Sequence, residues 1–370
     1  MQNAKVVSAS PSEATNNGIA SVLPRSASAL GLLFLLIALV LVPVFGSEYL
    51  VRVIVLPVLI LGLAGVGLNL LTGYTGQISL GSGGFMAVGA YATFVLAVHG
   101  NLLFFPLTIL IAGLVAAVVG WLFGLPSMRI KGFYVMVTSL AAQFFMEWLF
   151  LKFPWFYNYG DVPTISLPPM TLLGLDINGS FEVRYYFTLA IVVLLTWMAH
   201  NLVHSHVGRN WMAIRDMDTA AGVIGVNSKR YKSLAFTISA FYLGIAGALW
   251  GFIFLGTTSV GSFQIDRSFQ ILFIIIIGGM GSIRGNYIGA AFIYLLPLLI
   301  DHSARTYISD MVSPGLLSNL QKFIFGVLII VFLIKEPDGI DKLLRQLWQR
   351  LRARPSARVA RKHFGKRTED

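Results

Sequence analysis

Long uninterrupted stretches of apolar residues constrain this chain more than any other feature. Stretches such as Leu30 to Val42 and Ile271 to Ile277 carry no charged side chain. In a bilayer core every backbone N–H and C=O group needs an internal hydrogen-bond partner, so only α-helices and closed β-barrels can cross it. A barrel would show alternating segments of about ten residues, which these continuous runs do not. We therefore predict an all-α integral membrane protein.

Composition points to the same environment. Of the 370 residues, 56% are hydrophobic and 12% are charged, and the mean hydropathy is +0.77. One soluble core could not bury that much apolar surface. The sequence contains no cysteine, which excludes disulfides, cysteine-ligated zinc and a cysteine nucleophile.

The apolar stretches divide into about ten predicted transmembrane helices, each near the roughly 20 residues that a helix needs to cross a bilayer. They lie at 28–46, 50–72, 78–98, 102–125, 133–152, 185–202, 233–256, 268–283, 286–300 and 319–334. Before them, the polar residues 1–27 are predicted to be a disordered tail. A cleaved signal peptide is the alternative, but its apolar stretch would be shorter. The transmembrane domain is then 28–334, followed by a basic tail at 335–370.

The distribution of Lys and Arg predicts how the helices are oriented. Most of the 27 Lys and Arg residues fall in the N-terminal tail, 126–132, 203–232, Arg284 and 335–370. An even number of spans puts all of these segments on one side of the membrane, and positive charge marks the cytoplasmic side. We therefore predict that both termini are cytoplasmic and that the Pro- and Gly-rich loop at 153–184 faces outward.

Motifs for common enzyme chemistry do not occur in the sequence. Gly365 and Lys366 lack the upstream glycine of a Walker A loop, and there is no His-Glu-x-x-His or G-x-S-x-G pattern. His200, His204 and His206 could hold a metal, but no carboxylate or cysteine lies near them in the sequence, which favours interfacial histidines. We predict no catalytic, metal or cofactor site.

Glu147 is the one carboxylate well inside a predicted span, one turn after Gln143. An intramembrane acid is a candidate functional residue. A side chain that reaches the outer interface beside Lys152 is the competing interpretation, and both stay open. Proton- and sodium-coupled carriers usually place Asp, Glu or His along the solute path. Because few charged residues fall inside the predicted spans, transport must either use another energy source or be passive, as in a channel.

Two glycine-rich segments interrupt the predicted helices, at 73–84 and 278–285. Close helix packing through small residues is one explanation. The other is a broken helix whose unwound backbone lines a solute path. The candidates for that path are Gly73, Gly76, Gln77, Ser79, Gly81, Ser82, Gly278, Gly279, Gly281 and Ser282.

The longest predicted cytoplasmic loop, 203–232, carries apolar residues at helical spacing, from Trp211 to Ile224. This pattern predicts a short amphipathic helix. Its apolar stripe needs a cover, which is either the membrane surface or a groove on a partner protein. Ala220 and Ala221 are small where a lipid-seeking helix would favour larger side chains, and this favours the groove.

After the last span, Ile340, Leu343 and Leu347 recur at helical spacing among basic residues. This pattern is typical of an interfacial helix on anionic lipid. The remaining tail, 352–370, is basic and predicted to be disordered. Because membrane topology accounts for the net charge of +11, we predict no nucleic-acid partner.

Several of these regions resemble the branched-chain amino acid ABC permease family of the LivM type. The resemblance is carried by 67–91 with its run Gly73-Tyr74-Thr75-Gly76-Gln77, by 213–248, and by 278–290. It implies an ABC importer permease fold in the bacterial inner membrane. It also implies a second permease subunit, two cytoplasmic ATP-binding subunits and a periplasmic solute-binding protein, with membrane lipids around the complex.

The same resemblance implies that the amphipathic loop docks on the ATPase. The residues implied in coupling are Arg215, Asp216, Asp218, Ala220, Ala221 and Gly225. The chain would then be a transport subunit without an ATPase motif of its own, rather than an enzyme.

Ser82 departs from the family pattern, in which a histidine often follows the leucine and glycine that stand here as Leu80 and Gly81. The family also serves urea, short amides and aromatic acids, so the solute stays open between these and branched-chain amino acids. Two other classes of function stay open as well: an ATP-independent channel or secondary carrier, and a membrane-embedded enzyme.

Overall fold

The structure is a computed structural model of a helical protein. It describes residues 48–102, 104–127, 133–166, 168, 171–172, 175–176, 181–308, 319, 323–324, 326–327, 330, 339–343 and 346. The first predicted span, 28–46, and most of the last one, 319–334, lie outside these residues.

Nine helices of more than eight residues occur in the described part of the chain. They are α1 (Glu48–Thr75), α2 (Ser82–Val98), α3 (Phe105–Ser127), α4 (Phe133–Lys152), α5 (Phe181–His204), α6 (His206–Val223), α7 (Ser228–Leu255), α8 (Ile265–Gly278) and α9 (Ile283–Ile308). Two of them contain wider π-helical turns, Val51–Val55 in α1 and Leu249–Leu255 in α7.

Eight predicted spans fall within the described residues, and each coincides with one helix. Seven of these helical stretches are long and apolar enough to cross a membrane, if α8 is counted together with the turn that leads into it. The eighth, α2, is shorter, with 17 residues. This confirms an all-helical, multi-pass membrane protein, while the count of about ten spans stays a prediction. The predicted boundaries at 78 and 283 were wrong, because α2 begins only at Ser82 and α8 already ends at Gly278.

Small residues bring the central helices together. Among the seven membrane-spanning stretches, α1 and α7 are the most enclosed, with 72% and 78% of their apolar windows buried, against at most 44% for the others. A Cβ atom at Gly89 of α2 would overlap the carbonyl of Gly244 in α7, and one at Gly247 would overlap the carbonyl of Met86. Glycine therefore lets α2 and α7 touch backbone to backbone.

The segments that the sequence predicts to face outward lie together at one end of the helices. Strand β1 (Thr164–Ser166) follows α4 and pairs antiparallel with β4 (Thr257–Ser259), which follows α7. Between them in the chain, β2 (Thr171–Leu172) and β3 (Leu175–Asp176) form a hairpin. The His99 ring lies 5.0 Å from that of Trp155. These contacts agree with the predicted grouping of the outer segments.

Candidate functional site

The chain between α1 and α2 is not helical. Gly76 ends α1 in a left-handed conformation, with φ 72° and ψ 16°, and residues 76–81 then run without regular structure to Ser82. The end of α1, at Gly73, approaches Gly281, just past the end of α8, whereas Gly83, in the first turn of α2, donates to Ser268 in the first turn of α8. Ser268 and Gly278 are separated by about 15 Å along a helix axis. Segment 76–81 therefore extends through much of the depth of the membrane domain.

Side chains replace some of the missing helical hydrogen bonds in segment 76–81. The Thr72 hydroxyl donates to the Gln77 carbonyl at 3.0 Å, and the Leu80 N–H donates to Ser139 Oγ at 2.9 Å. The N–H and C=O of Ile78 make no hydrogen bond with the described residues, and 48% of this residue is exposed. The Gln77 Oε1 and Ser82 Oγ atoms are buried and have no partner in the described ranges. This polar strip is typical of unwound backbone that lines a water-filled path.

One buried amide joins the two glycine-rich segments. Asn69 Nδ2 donates to the Ser282 carbonyl at 3.1 Å and to Asn286 Oδ1 at 3.0 Å. Asn69 Oδ1 accepts from the Gly281 N–H at 2.9 Å. A Cβ atom at Gly73 would lie 2.5 Å from the Gly281 nitrogen. Glycine at position 73 therefore lets the end of α1 contact the turn between α8 and α9.

The amphipathic helix α6 reaches the same place. Arg215 Nη1 donates to the Gly73 carbonyl at 3.1 Å, and a Cβ atom at Gly281 would lie 3.5 Å from Nη1. A Cβ atom at Gly76 would lie 3.2 Å from Arg215 Cγ. We call this contact of Asn69, Gly73, Gly281 and Arg215 the Arg215 junction. It links both predicted glycine segments to a predicted coupling residue.

Helix α6 itself is bent, because Met217 has non-helical backbone angles of φ −158° and ψ 94°. Before the bend, Trp211 is fully buried, and its Nε1 donates to the Tyr231 carbonyl at 2.9 Å. After the bend, Val223 and Ile224 are 89% and 75% exposed. The predicted apolar stripe is therefore covered by this chain at its start and open at its end.

The other predicted coupling residues lie on both sides of α6. Asp216 forms an exposed ion pair with Arg215 at 3.0 Å, and Asp218 pairs with Lys232 at 2.8 Å. Ala220 is exposed, and Gly225 follows the helix with φ 89°. Ala221, by contrast, is only 2% exposed. Its small size is explained by packing inside this chain.

A second buried amide holds the start of α2. Gln143 Nε2 donates to the Phe263 carbonyl at 2.8 Å, while its Oε1 accepts from the Gly84 N–H and, at 3.0 Å, from the Ser268 hydroxyl. Ser268 Oγ in turn accepts from the Gly83 N–H at 2.8 Å. We call this contact of Gly83, Gly84, Gln143, Phe263 and Ser268 the Gln143 junction.

Glu147 supports this junction from the next turn of α4. Its Oε1 accepts from Gln143 Nε2 at 2.7 Å. The ion pairs within the described residues do not include one between Glu147 and Lys152. The carboxylate therefore orients the Gln143 amide.

The C-terminal region also contacts the α8–α9 turn. The Ser282 hydroxyl donates to Asp341 Oδ2 at 2.6 Å, and Gly339, with φ 79°, packs against Gly279. The path candidates thus divide: Gly73, Gly76, Gly278, Gly279, Gly281 and Ser282 lie around the Arg215 junction, and Gly81 and Ser82 lie beside the Gln143 junction. Gln77 and Ser79 lie in segment 76–81, which joins the two.

Sequence reasoning did not single out Asn69 or Asn286 as site residues. The sequence feature that could have identified them is a polar side chain within an apolar helix, because such a group needs a hydrogen-bond partner in the membrane. The described residues hold no cluster of three His, Cys, Asp or Glu that could bind a metal ion. Within the histidine group, His204 Nδ1 lies 2.7 Å from the His200 carbonyl.

Comparison with known proteins identifies the family of this chain. A family model described as "Branched-chain amino acid transport system / permease component" matches residues 50–333, which include both junctions and α6. The chain belongs to this permease family. The match confirms the resemblance found in the sequence and the assignment as a multi-pass transport permease.

Curated relatives of two kinds match this permease. The chain is 30% identical over 303 residues to the high-affinity branched-chain amino acid transport system permease protein LivM of Escherichia coli (strain K12), covering 76% of this chain and 67% of the relative. It is 23% identical over 303 residues to the permease protein LivH of Salmonella typhimurium, covering 75% of this chain and 90% of LivH. A probable LivM of Methanocaldococcus jannaschii is 24% identical over 240 residues, covering 63% of this chain and 67% of that protein. No solved structure matches the chain significantly.

Proposed function

We propose that this permease is a membrane-spanning subunit of an ATP-binding cassette importer that moves branched-chain amino acids or a related small polar solute inward. Separate ATPase subunits supply the energy, and an external solute-binding protein delivers the solute. The Arg215 junction carries this proposal, because it connects α6, a mostly polar helix with an exposed end, to both glycine-rich segments.

Docking of the ATPase at α6 follows from the surface of that helix. Met217, Val223 and Ile224 form an exposed apolar end beyond the bend, and Asp216 and Ala220 lie on the exposed surface beside them. A mostly polar helix with one open apolar end suits a groove on a soluble protein. Movement of the docked end would pull on Arg215 and therefore on the carbonyl of Gly73.

Segment 76–81 is the proposed lining of the path. Its Ile78 peptide and the Gln77 and Ser82 oxygens lack partners within the described residues. In lipid each such group would cost several kcal/mol. Water or a polar solute beside the segment removes this cost.

The remaining partners are inferred from the relatives. The chain matches both LivM and LivH, two permease proteins named for the same transport system, and this supports pairing with a second permease. The Lys and Arg distribution supports an inner-membrane orientation with both termini in the cytoplasm.

Reconstitution tests the proposal. The permease, a partner permease and the two ATPases are placed in liposomes, and the binding protein is added outside with tritiated leucine, isoleucine or valine. We expect accumulation that needs ATP and stops when the Walker lysine of the ATPases is replaced. Solute flux that continues with the inactive ATPases would instead favour a channel or a secondary carrier.

A further inference from the structure

Arg267 is a cation in the first turn of α8 that stacks on an aromatic ring. Its guanidinium carbon lies 4.2 Å from the centroid of the Trp250 ring. Trp250 belongs to the π-helical turn of α7 and is only 3% exposed. The guanidinium is therefore recessed between two transmembrane helices, where a cation–π contact holds it in place.

Within the described part of the chain, the hydrogen bonds of Arg267 leave its charge without a counterion. Its Nε donates to the Ser262 carbonyl at 3.3 Å and its Nη1 to Gln270 Oε1 at 2.5 Å. Both acceptors are neutral. The two ion pairs found within the described residues, Arg215 with Asp216 and Lys232 with Asp218, do not involve it. A guanidinium has five N–H donors, so most of them remain available here.

A second donor beside Arg267 also lacks an acceptor. Trp250 Nε1, on the ring that the guanidinium covers, is buried and has no hydrogen-bond partner among the residues that the structure describes. The same holds for the buried hydroxyl of Thr258 in β4, whose methyl group would lie 3.1 Å from a Cβ atom at Gly251. Buried donors without acceptors are costly, and together with an unpaired guanidinium they suit the two oxygens of a carboxylate.

We propose that Arg267, with Trp250 Nε1, binds the carboxylate of the transported solute at the end of the permease where β1 and β4 pair. This inference rests on the proposed import function and narrows its solute to a molecule that bears a carboxylate, such as an amino acid, and not urea or an amide. A small solute fits better than an acidic side chain of a docked protein. The reason is that Trp250, under the guanidinium, and Ile271, one turn after Arg267 in α8, are almost completely buried.

Solute binding to the purified complex of permeases and ATPases, without the binding protein, tests the inference. Tritiated L-leucine is the probe, and unlabelled L-leucine, L-leucinamide and urea compete with it. We expect wild type to prefer leucine over leucinamide. Arg267→Gln should weaken leucine binding by about 10- to 100-fold, as expected for a lost charged hydrogen bond. Arg267→Gln should also remove the preference for leucine over leucinamide. If Arg267 had only a structural role, the substitution would weaken the binding of both compounds and leave this preference unchanged.

Two further variants complete the test. Arg267→Lys keeps the charge but loses the planar fork, so it should fold and bind leucine with intermediate affinity. Arg52→Gln is the matched control, because Arg52 is an exposed arginine predicted at the same side of the membrane, and it should bind like wild type.

Several results would overturn the inference. One is equal competition by leucine and leucinamide in wild type, and another is undiminished leucine binding in Arg267→Gln. A third is loss of binding-protein capture with leucine binding intact, which would assign Arg267 to an acidic side chain of that protein. ATP-dependent import of urea or an amide, but of no carboxylate, would also overturn it while leaving the importer assignment in place.

Discussion

The two ends of segment 76–81 are held in opposite ways. The Gln143 junction is buried and uncharged apart from the supporting Glu147 carboxylate, and one amide satisfies groups from three different parts of the chain. At the Arg215 junction the Asn69 amide is also buried, but Gly73 is in addition contacted by a charged side chain on an exposed, bent helix. A buried network is costly to break, whereas a partly exposed contact such as that of Arg215 is exchanged with water at less cost. The first end therefore acts as an anchor and the second as the end that can move.

Replacing the left-handed glycines at the Arg215 junction should have the largest effect on transport. Gly76 and Gly281 have φ values of 72° and 80°, and both lie beside Arg215. In Gly76→Leu and Gly281→Leu the side chain adds about 1 to 2 kcal/mol of backbone strain and displaces Arg215. We expect uptake to be abolished while much of the protein still reaches the membrane.

Gly326→Leu is the matched control for these variants, because a Cβ atom there meets nothing within 4 Å, its φ is not positive, and it lies outside α6 and both junctions. It should transport normally. Wild-type uptake rates in both Gly76→Leu and Gly281→Leu would contradict a role for the junction.

Disrupting the Gln143 junction should lower the thermal stability of the permease, while each molecule that remains folded should keep most of its transport activity. Gln143→Leu leaves the Gly84 N–H, the Ser268 hydroxyl and the Phe263 carbonyl without their partner, at about 1 to 3 kcal/mol for each buried group. We expect a clear drop in the midpoint of thermal unfolding, measured by size-exclusion chromatography of heated detergent samples. Glu147→Gln, which keeps an acceptor for the Gln143 amide, should lose much less. Unchanged melting of Gln143→Leu would remove the distinction between the two ends.

Arg215→Gln should separate ATP hydrolysis from transport. It removes the charged donor to the Gly73 carbonyl, and a lost interaction of about 1.4 kcal/mol corresponds to a tenfold slower uptake. Because the Arg215 side chain is substantially exposed, the fold should persist, and ATP hydrolysis in reconstituted liposomes should continue. Asp216→Asn, which breaks only an exposed ion pair, should change uptake little. If both variants behave alike, the contact with Gly73 is not the coupling contact.

The smallest effect is expected on the exposed end of α6. Ala220→Trp places a bulky ring on the surface proposed to enter the ATPase groove, and overpacking by about 1 kcal/mol should weaken ATPase binding roughly fivefold. Recovery of the ATPases with the tagged permease, at equal membrane expression, measures this. Ala221→Trp should instead destabilise the permease, because Ala221 is buried in its own chain. Undiminished ATPase recovery and uptake in Ala220→Trp would favour a helix that lies on lipid.

Sequence patterns predicted the eight spans that fall within the described residues, because apolar length reports directly on lipid. The helix breaks at 76–81 and 279–282 fall inside the two glycine-rich segments, although the predicted boundaries at 78 and 283 were wrong, and the loop 203–232 contains the helix α6. The pairing of Asn69 with Gly281, and of Gln143 with Gly84, was not predictable. These contacts join residues far apart in the chain, and no local spacing encodes them. Likewise, the burial of Ala221 depends on packing within the fold.

The backbone contact between α2 and α7 also limits how this permease can change shape. Where Gly89 meets Gly244 and Gly247 meets Met86, the helices touch through main-chain atoms, and no flexible side chain lies between them to absorb a displacement. Packed interiors shift between discrete arrangements instead of deforming gradually. Helices α2 and α7 therefore have almost no independent degrees of freedom and should rotate or translate as one rigid body. Cysteine cross-links placed between them would leave the transport cycle intact, whereas links that tie α6 to this body would stop it.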